Sequence, residues 1–544
     1  MSSMNKEIKN PIIPGFYPDP SICRVEDDFY LVTSSFSYFP GVPVFHSRDL
    51  MNWEQIGHVL DRPSQLPLDS RHISGGIFAP TIRYHEGIFY MITTNINHGG
   101  NFIVTAKEPS GPWSEPHWIE NAEGIDPSLF WDEDGKAYFT GTTGFGRKEP
   151  QMIWISEIDL KSFALVGDKK EIWGGALVHC WCPEAPHLYK RNSWYYLMIA
   201  EGGTEHYHAV TIARSKNIWG PYQGYAGNPI LTHRHLGERY PICNTGHGDL
   251  VELKDGSWYM VMLASRIYGG YHKNLGRETF IAPVSWENDW PIVSPGTGKV
   301  EWTYPAPSLP PCEVQPIPER DDFLTEELGF QWNFLGTPVN EIHRVEDSCL
   351  KLRTIARPVY PDNVQLSGYN APVEAISFLG RRQQHMSFTV KAQIDFSSLA
   401  DRDTTGLLIL QNAFHEMRME IAAENGRKVV RVMKGYTVKK DTGKQNDAEQ
   451  QNHTEYRQEL CGQIDWCENT AILLIRAREQ NYCFEITDKE GNTFVICSDL
   501  NGGYLGSESA GGFVGAYIGM FASGNGIDTG NYISFDWFDY IPGE

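Results

Sequence analysis

The sequence predicts an all-β protein, a five-bladed β-propeller followed by a β-sandwich. Three observations carry this. A short pattern of a Pro or Gly turn followed by an aromatic run recurs five times in the first half. Its intervals of 60, 47, 59 and 62 residues suit four-stranded blades. A proline-rich stretch then separates the repeats from a second half of strand-like runs broken by turn residues.

The first copy is Tyr17-Pro18-Asp19-Pro20-Ser21-Ile22, followed by Phe29-Tyr30-Leu31-Val32. The pattern returns as Ala79-Pro80-Thr81-Ile82 with Phe89-Tyr90-Met91-Ile92, then as Asp126-Pro127-Ser128-Leu129 with Tyr138-Phe139-Thr140. The last two copies are Glu184-Ala185-Pro186-His187-Leu188 with Tyr195-Tyr196-Leu197-Met198, and His247-Gly248-Asp249-Leu250 with Trp258-Tyr259-Met260-Val261. Each reads as a hairpin of two strands across a polar turn. Blade starts converge on a central channel, so Asp19, Ala79, Asp126, the Glu184-Ala185 pair and His247 are expected to ring one axis. Segments such as Ser47-Arg48-Asp49-Leu50-Met51-Asn52-Trp53 read as structural outer edges of blades.

These signals place a propeller at 1–304, a stiff linker at 305–319 with prolines at 305, 307, 310, 311, 316 and 318, and a sandwich at 320–544. In the last part, runs such as Leu407-Leu408-Ile409-Leu410 and Val429-Val430-Arg431-Val432 read as strands, separated by turns such as Asn425-Gly426. Residues 436–458 are polar and charged and read as an exposed loop. No long amphipathic helix is evident.

A length of 544 residues calls for two or three domains. The formal charge of −22 argues against nucleic acid and anionic membranes as partners and fits a neutral, solvated substrate. Ten scattered cysteines without a C-x-x-C pair suit free thiols in a reducing compartment, and no apolar run is long enough to span a bilayer, so the expected location is cytoplasmic. His179-Cys180-Trp181-Cys182 resembles half of a zinc site whose second half is missing. Self-association into a homo-oligomer is left open.

Hydrolysis of a glycosidic bond needs one protonated carboxyl group to serve the leaving oxygen and one ionised carboxylate to activate water or attack carbon. The blade-start ring supplies candidates. Asp19 is held between two prolines, and Glu184 lies between Pro183 and Ala185-Pro186, with one methylene more reach than an Asp. Asp126, from the intervening blade, could sit beside Glu184 and raise its pKa. A lone Asp before Pro is ordinarily a turn residue; three carboxylates on one repeat frame point to chemistry. His247 could contact substrate, hold a central ion or water, or satisfy the core. Arg277 is a surface ion pair or, if it points inward, a partner for the carboxylates and for hydroxyl groups. Phe36, Phe39 and Phe78 are stacking platforms or core aromatics.

The ordered motifs Asn10 to Ile22, Ser74-Gly75-Gly76-Ile77-Phe78-Ala79-Pro80, Ile125-Asp126-Pro127, Pro183-Glu184-Ala185-Pro186, Glu201-Gly202-Gly203-Thr204, Thr245-Gly246-His247-Gly248 and Leu275-Gly276-Arg277-Glu278-Thr279 resemble glycoside hydrolase family 43. The likeness is to its β-xylosidase and α-L-arabinofuranosidase members with a C-terminal concanavalin-like sandwich, and covers essentially the whole chain.

The resemblance implies an exo-acting, inverting hydrolase that releases terminal β-D-xylose, α-L-arabinofuranose or both from oligosaccharides. In it Asp19 is the general base, Glu184 the general acid, and Asp126 the residue that orients Glu184 and raises its pKa. Inversion implies base and acid carboxyls about 6.5–9.5 Å apart. Phe36, Phe78, Thr204, His247 and Arg277 become substrate-binding positions. No cofactor is required, although His247 matches a histidine that in some members helps hold a calcium ion at the propeller centre. Gly511-Gly512-Phe513-Val514-Gly515 resembles a sandwich loop that brings a Phe to the pocket mouth, here Phe513. Phe78 stands where relatives commonly have Trp, which alters stacking on the terminal sugar. The stretches Tyr38-Phe39-Pro40-Gly41 and Asp61-Arg62-Pro63-Ser64 look closer to the branch with many arabinofuranosidases. The alternatives are a non-catalytic carbohydrate-binding propeller, an endo-arabinanase with an open cleft, and a retaining fructosidase, whose Asn-Asp-Pro-Asn start is absent.

Overall fold

The structure, a computed structural model, describes residues 7–68, 73–144, 149–178, 180–338, 341–359, 376–424, 426–439 and 454–543. Five four-stranded antiparallel sheets follow one another along the chain. Their first strands are Ser21–Val25, Thr81–His85, Ser128–Trp131, Glu184–Arg191 and Ile242–Glu252. Each pairs with the aromatic run that follows it, as the repeat predicts. Successive first strands touch one another in a closed ring, so they are innermost and line the axis. The strand Glu7–Lys9 pairs with Thr303–Pro305, tying the two ends of the propeller together.

On the axis, Asp249 of blade five accepts hydrogen bonds from Ser21 Oγ of blade one (2.7 Å), Arg83 Nη1 of blade two (2.8 Å) and Tyr189 Oη of blade four (2.6 Å). Arg83 also reaches His187 Nδ1 (3.0 Å), which lies 3.3 Å from Ser128 Oγ of blade three. All five blades thus meet in one buried polar bolt. Burial would raise the Asp249 pKa, but Arg83, His187 and the hydrogen bonds hold it far below the carboxylate range. Its charged state therefore stabilises the fold above the unfolded pKa near 4, and that contribution is lost as pH falls toward its folded value. Asp249→Asn leaves the Arg83 cation without its carboxylate. It is expected to cost about 3–5 kcal/mol, read as a lower thermal midpoint. A midpoint unchanged by the substitution would show that the bolt contributes nothing.

The second half forms two eight-stranded sheets face to face. One holds His343–Glu346, Cys349–Arg353, Tyr532–Pro542, Phe388–Asp395, Thr470–Arg478, Asn481–Thr487 and Thr493–Asn501 in spatial order, with Arg320–Asp321 beside Tyr532–Pro542. Its strands alternate: Phe388, Val390, Ala392 and Ile394 are buried between the sheets while the residues between them are not. The other sheet runs Thr454–Trp466, Arg427–Lys439, His415–Glu424, Thr404–Asn412, Tyr517–Ser523, Ser377–Arg382 and Asn333–Leu335. Among the described residues the one α-helix is the short Ser507–Ala510, and no helix is long and apolar enough to cross a membrane.

Two expectations need correction. Residues 436–458 are not simply an exposed loop: the two ends, 436–439 and 454–458, belong to the long antiparallel strands Arg427–Lys439 and Thr454–Trp466, and 440–453 lie outside the described residues. Thr454–Trp466 is an edge strand of its sheet, and residues 457–460 on it are exposed, which suits the polar composition. Of the Asn425-Gly426 turn, Asn425 also lies outside the described residues. The boundary between the halves is less clean than the prolines suggest. Tyr38–Phe39, from the propeller, pairs with Asn333–Leu335 and forms the eighth strand of the second sandwich sheet. Tyr38 stacks on Tyr517 at 3.7 Å, and an apolar cluster runs from Val32, Phe39, Val44 and Ile82 through Phe334 and Leu379 into the sandwich interior. Arg382 of the sandwich donates to Phe16 O (2.6 Å) and lies over the Tyr17 ring at 4.2 Å.

Candidate active site

The residue before the turn is strained in four of the five repeats. Asp19, Asp126, Ala185 and His247 adopt left-handed backbone angles, with φ of 56°, 54°, 52° and 48°. Such angles cost a non-glycine residue of order 1–3 kcal/mol and cluster at functional sites. Ala185, not Glu184, thus holds the position equivalent to Asp19. Glu184 stands one residue earlier, at the first position of its strand, next to an irregularity in the register between Glu184 and His187. The offset and the longer side chain bring it to the cavity that Asp19 and Asp126 face.

That cavity, of about 380 Å³, lies at one end of the channel and is lined by Asp19, Phe36, Phe78, Ala79, Ile96, Ile125, Asp126, Cys182, Glu184, Ala200, Gly203, Thr204, His208, His247, Leu263, Arg277 and Phe513. All nine residues to which the resemblance assigns catalytic or substrate-binding roles are among them. Phe39 is not; it belongs to the strand that joins the sandwich.

Asp19 is buried and fully engaged. Oδ1 accepts from Arg277 Nη1 (2.6 Å) and Oδ2 from Ser34 Oγ (2.6 Å), while His247 Nδ1 stands 3.7 Å from Oδ1. Burial alone would raise its pKa. The Arg277 charge, then His247, the Ser34 hydrogen bond and His208 outweigh it, so Asp19 stays below the usual carboxylate value and ionised.

Asp126 and Glu184 behave oppositely. Burial first, then the charge of Glu184 and of Asp19, push Asp126 well above the ordinary range, although Arg277 and the backbone N–H of Ala185 oppose this. Burial also raises Glu184, and Asp19 adds to it, against a hydrogen bond with Cys182 and the pull of Arg277; the result is about 7. Burial in one cavity and the charge each feels from its carboxylate neighbours disfavour ionisation of both, so the pair keeps a proton at neutral pH. The site therefore holds an ionised carboxylate and a proton-bearing pair around one small cavity.

Arg277 points inward and ties the site to the second domain. Besides Asp19, its Nη1 donates to Thr204 Oγ1 (3.2 Å) and its Nη2 to the backbone oxygen of Phe513 (3.1 Å). The Phe513 N–H donates to Ser74 Oγ of the propeller (2.9 Å). The sandwich loop reaches this far because the backbones touch: a Cβ on Gly276 would stand 2.8 Å from Gly515 Cα. Phe513 packs 6.4 Å from both Phe36 and Phe78, whose rings lie 5.3 Å apart, and the three make an aromatic wall. Phe36 is buried within it, while Phe513 remains half-exposed.

Sequence reasoning missed Ser34, Ser74, Ile96, His208 and the part played by Cys182. His208 lines the cavity with Nδ1 2.9 Å from Asn244 O, and burial drives its pKa down to about 3, so it is a neutral imidazole. Burial likewise lowers His247, against the opposing charge of Asp19. Cys182 lies at the cavity beside Glu184, with a thiol that burial pushes up to about 12. Of the suspected zinc fragment, His179 lies outside the described residues, and among the described residues no cluster of three or more His, Cys, Asp or Glu is placed to hold a metal ion. A calcium ion takes six to eight oxygen ligands. The carboxylate beside His247 is Asp19, whose oxygens are occupied by Arg277 and Ser34, so the protein groups here do not form such a cage, and no step below passes through an ion.

Comparison with known proteins agrees with this geometry. Residues 8–291 match glycosyl hydrolases family 43, and residues 320–541 match the β-xylosidase C-terminal concanavalin A-like domain. The chain is 42% identical to a xylosidase/arabinosidase of Butyrivibrio fibrisolvens, over 97% of this chain and 98% of the relative. It is 39% identical to a non-reducing end α-L-arabinofuranosidase of Bacteroides ovatus, over 99% and 96%. Among solved structures it is similar to the xyloglucan-locus family 43 protein of Bacteroides ovatus (TM-score 0.86, 37% identity, 99% and 100% covered). It is also similar to the xylan β-1,4-xylosidase of Bacillus halodurans (TM-score 0.86, 32% identity, 98% and 100% covered). A propeller whose blade starts bring an ionised aspartate and a proton-bearing carboxyl pair to one cavity, sealed to a sandwich of the matching type, belongs to glycosyl hydrolases family 43, and the protein is an exo-acting glycosidase.

Proposed function

We propose that the enzyme releases terminal β-D-xylose, α-L-arabinofuranose or both from the non-reducing ends of xylo- and arabino-oligosaccharides, by single displacement with inversion. The observation that carries this is the contrast between Asp19, held ionised by Arg277, and Glu184, held protonated to about pH 7, across one cavity walled by Phe513. A cavity of about 380 Å³ is at the small end of ligand pockets, which span about 300–1,000 Å³. It suits a terminal sugar and not the middle of a polymer.

In this reading Asp19 takes a proton from a water molecule as the water oxygen bonds to the anomeric carbon. Glu184 gives its proton to the glycosidic oxygen as the carbon–oxygen bond breaks. Asp19 ends protonated and Glu184 ionised, and exchange with solvent resets both. Asp126 shares with Glu184 the proton that the pair retains at neutral pH, while Arg277 and Thr204 hold Asp19 in place and offer donors and acceptors to sugar hydroxyls. Phe36, Phe78 and Phe513 enclose the apolar face of the ring, and His247 and His208 present neutral imidazoles to it. The two sugars can present similar hydroxyl arrangements, and the names of relatives include both activities. Ten cysteines present as free thiols support a reducing, cytoplasmic location. A part in xylan degradation follows from the substrate class.

The test is kcat/KM on aryl β-D-xylopyranoside and aryl α-L-arabinofuranoside side by side, with the anomer of the first-formed sugar followed by proton NMR. Turnover of at least one with inverted configuration is expected. Retained configuration would overturn the single-displacement mechanism, and no turnover of either would overturn the sugar assignment.

A further inference from the structure

We propose that Trp181 and Tyr207 form the platform for the leaving group, the sugar ring on the far side of the bond being cut; this rests on the hydrolase reading above. The chemistry fixes where that ring must go. The proton passes from Glu184 to the leaving oxygen, so the departing sugar extends away from the cavity on the side of Glu184. Trp181 lies three residues before Glu184 on the same connection, and the intervening Cys182 lines the cavity.

The indole is set against the cavity wall itself. Gly203 lines the cavity with φ of +67°, and a Cβ placed on it would stand 3.1 Å from Trp181 Nε1. The Gly202 N–H donates to Trp181 O (2.8 Å), which fixes the two loops to each other. Tyr207 meets the indole edge to face, with centroids 5.8 Å apart and planes at 66°. Yet both rings are open to solvent: Trp181 is 52% and Tyr207 54% exposed.

Two exposed aromatic rings in contact at the rim of a cavity make the contiguous apolar patch that marks a ligand-binding groove. Their support is far from loose. Lys273, whose side chain is 1% exposed, donates to Glu205 Oε2 (2.6 Å), and Asn244 Nδ2 reaches the same oxygen (3.3 Å). The His208 N–H closes the turn on Glu205 O (3.0 Å). A buried cation thus pins the loop that carries Thr204 into the cavity and Tyr207 to its rim. Two open aromatic rings on fixed backbone, continuous with the sugar cavity and on the acid side of it, match the flat face of ring C–H groups on a pyranose. The ligand is the second sugar of the oligosaccharide, a pyranosyl unit.

The test compares the wild type with Trp181→Ala and Tyr207→Ala on two substrates that share the terminal sugar the wild type turns over. One carries xylose as leaving group and the other is the glycosyl fluoride, whose leaving group touches no platform. For Trp181→Ala, kcat/KM on the xylose-leaving substrate is expected to fall about tenfold, and on the fluoride by no more than about twofold, with Tyr207→Ala shifted the same way by less. Thermal midpoints report whether either variant is folded. Equal losses on both substrates, or no loss on either, overturn the platform. A wild type inactive on both overturns the hydrolase reading instead.

Discussion

Asp19→Asn will lower kcat by about a thousandfold, within the 10²–10⁴ range that general base catalysis contributes, and the loss will be the same for good and poor leaving groups. The amide keeps the shape of the carboxylate, its oxygen can still accept from Arg277 and its NH2 can donate to the Ser34 hydroxyl, but it cannot take a proton from water. Because the base acts on the nucleophile, the quality of the leaving group does not compensate for it. Arg277 loses its counter-charge in this variant, so a thermal melt must accompany the kinetics. A folded Asp19→Asn protein with near wild-type kcat would remove Asp19 from the reaction.

Glu184→Gln will show the opposite dependence. On oligosaccharides and other poor leaving groups the rate is expected to fall by about 10²–10⁴. On dinitrophenyl glycosides, whose departing oxygen needs little protonation, most of it should survive. The pH profile supplies a second readout. Glu184 must be protonated to act and has a pKa of about 7, so kcat/KM should fall as pH rises through that value. Asp19 must be ionised and lies below its ordinary 3.8, so the acid limb belongs below that pH. The alkaline limb should vanish in Glu184→Gln and persist in Asp19→Asn. Equal losses on good and poor leaving groups would take Glu184 out of the acid role.

The parts of the site that were legible in the sequence are those the repeat frame positions. Asp19, Asp126 and His247 recur just before a turn residue, and the proline flanks betray a constrained backbone. Glu184 was legible only because it adjoins Ala185, the true equivalent of Asp19. What stayed hidden belongs to no repeat. Ser34 holds Asp19 from the end of the neighbouring strand, Ser74 holds the Phe513 loop from a connection between blades, and His208 comes from a loop whose order depends on Lys273, over sixty residues later in the chain. Such partners are set by tertiary contacts, and local pattern carries no trace of them. The same applies to Tyr38–Phe39, two residues too short to announce a strand, which pair with a segment nearly three hundred positions away.

That two-residue strand sets how the enzyme can change over evolutionary time. The catalytic half lends an edge to the partner sheet, and the partner sheet returns Phe513 to the catalytic cavity. Each half is therefore unfinished alone. A recombination that replaced the sandwich while keeping the propeller would strip Tyr38 and Phe39 of their ladder and remove one wall of the sugar site in the same event. The two halves have to be inherited together, and a new specificity has to arise by point changes on a joined frame rather than by exchange of modules.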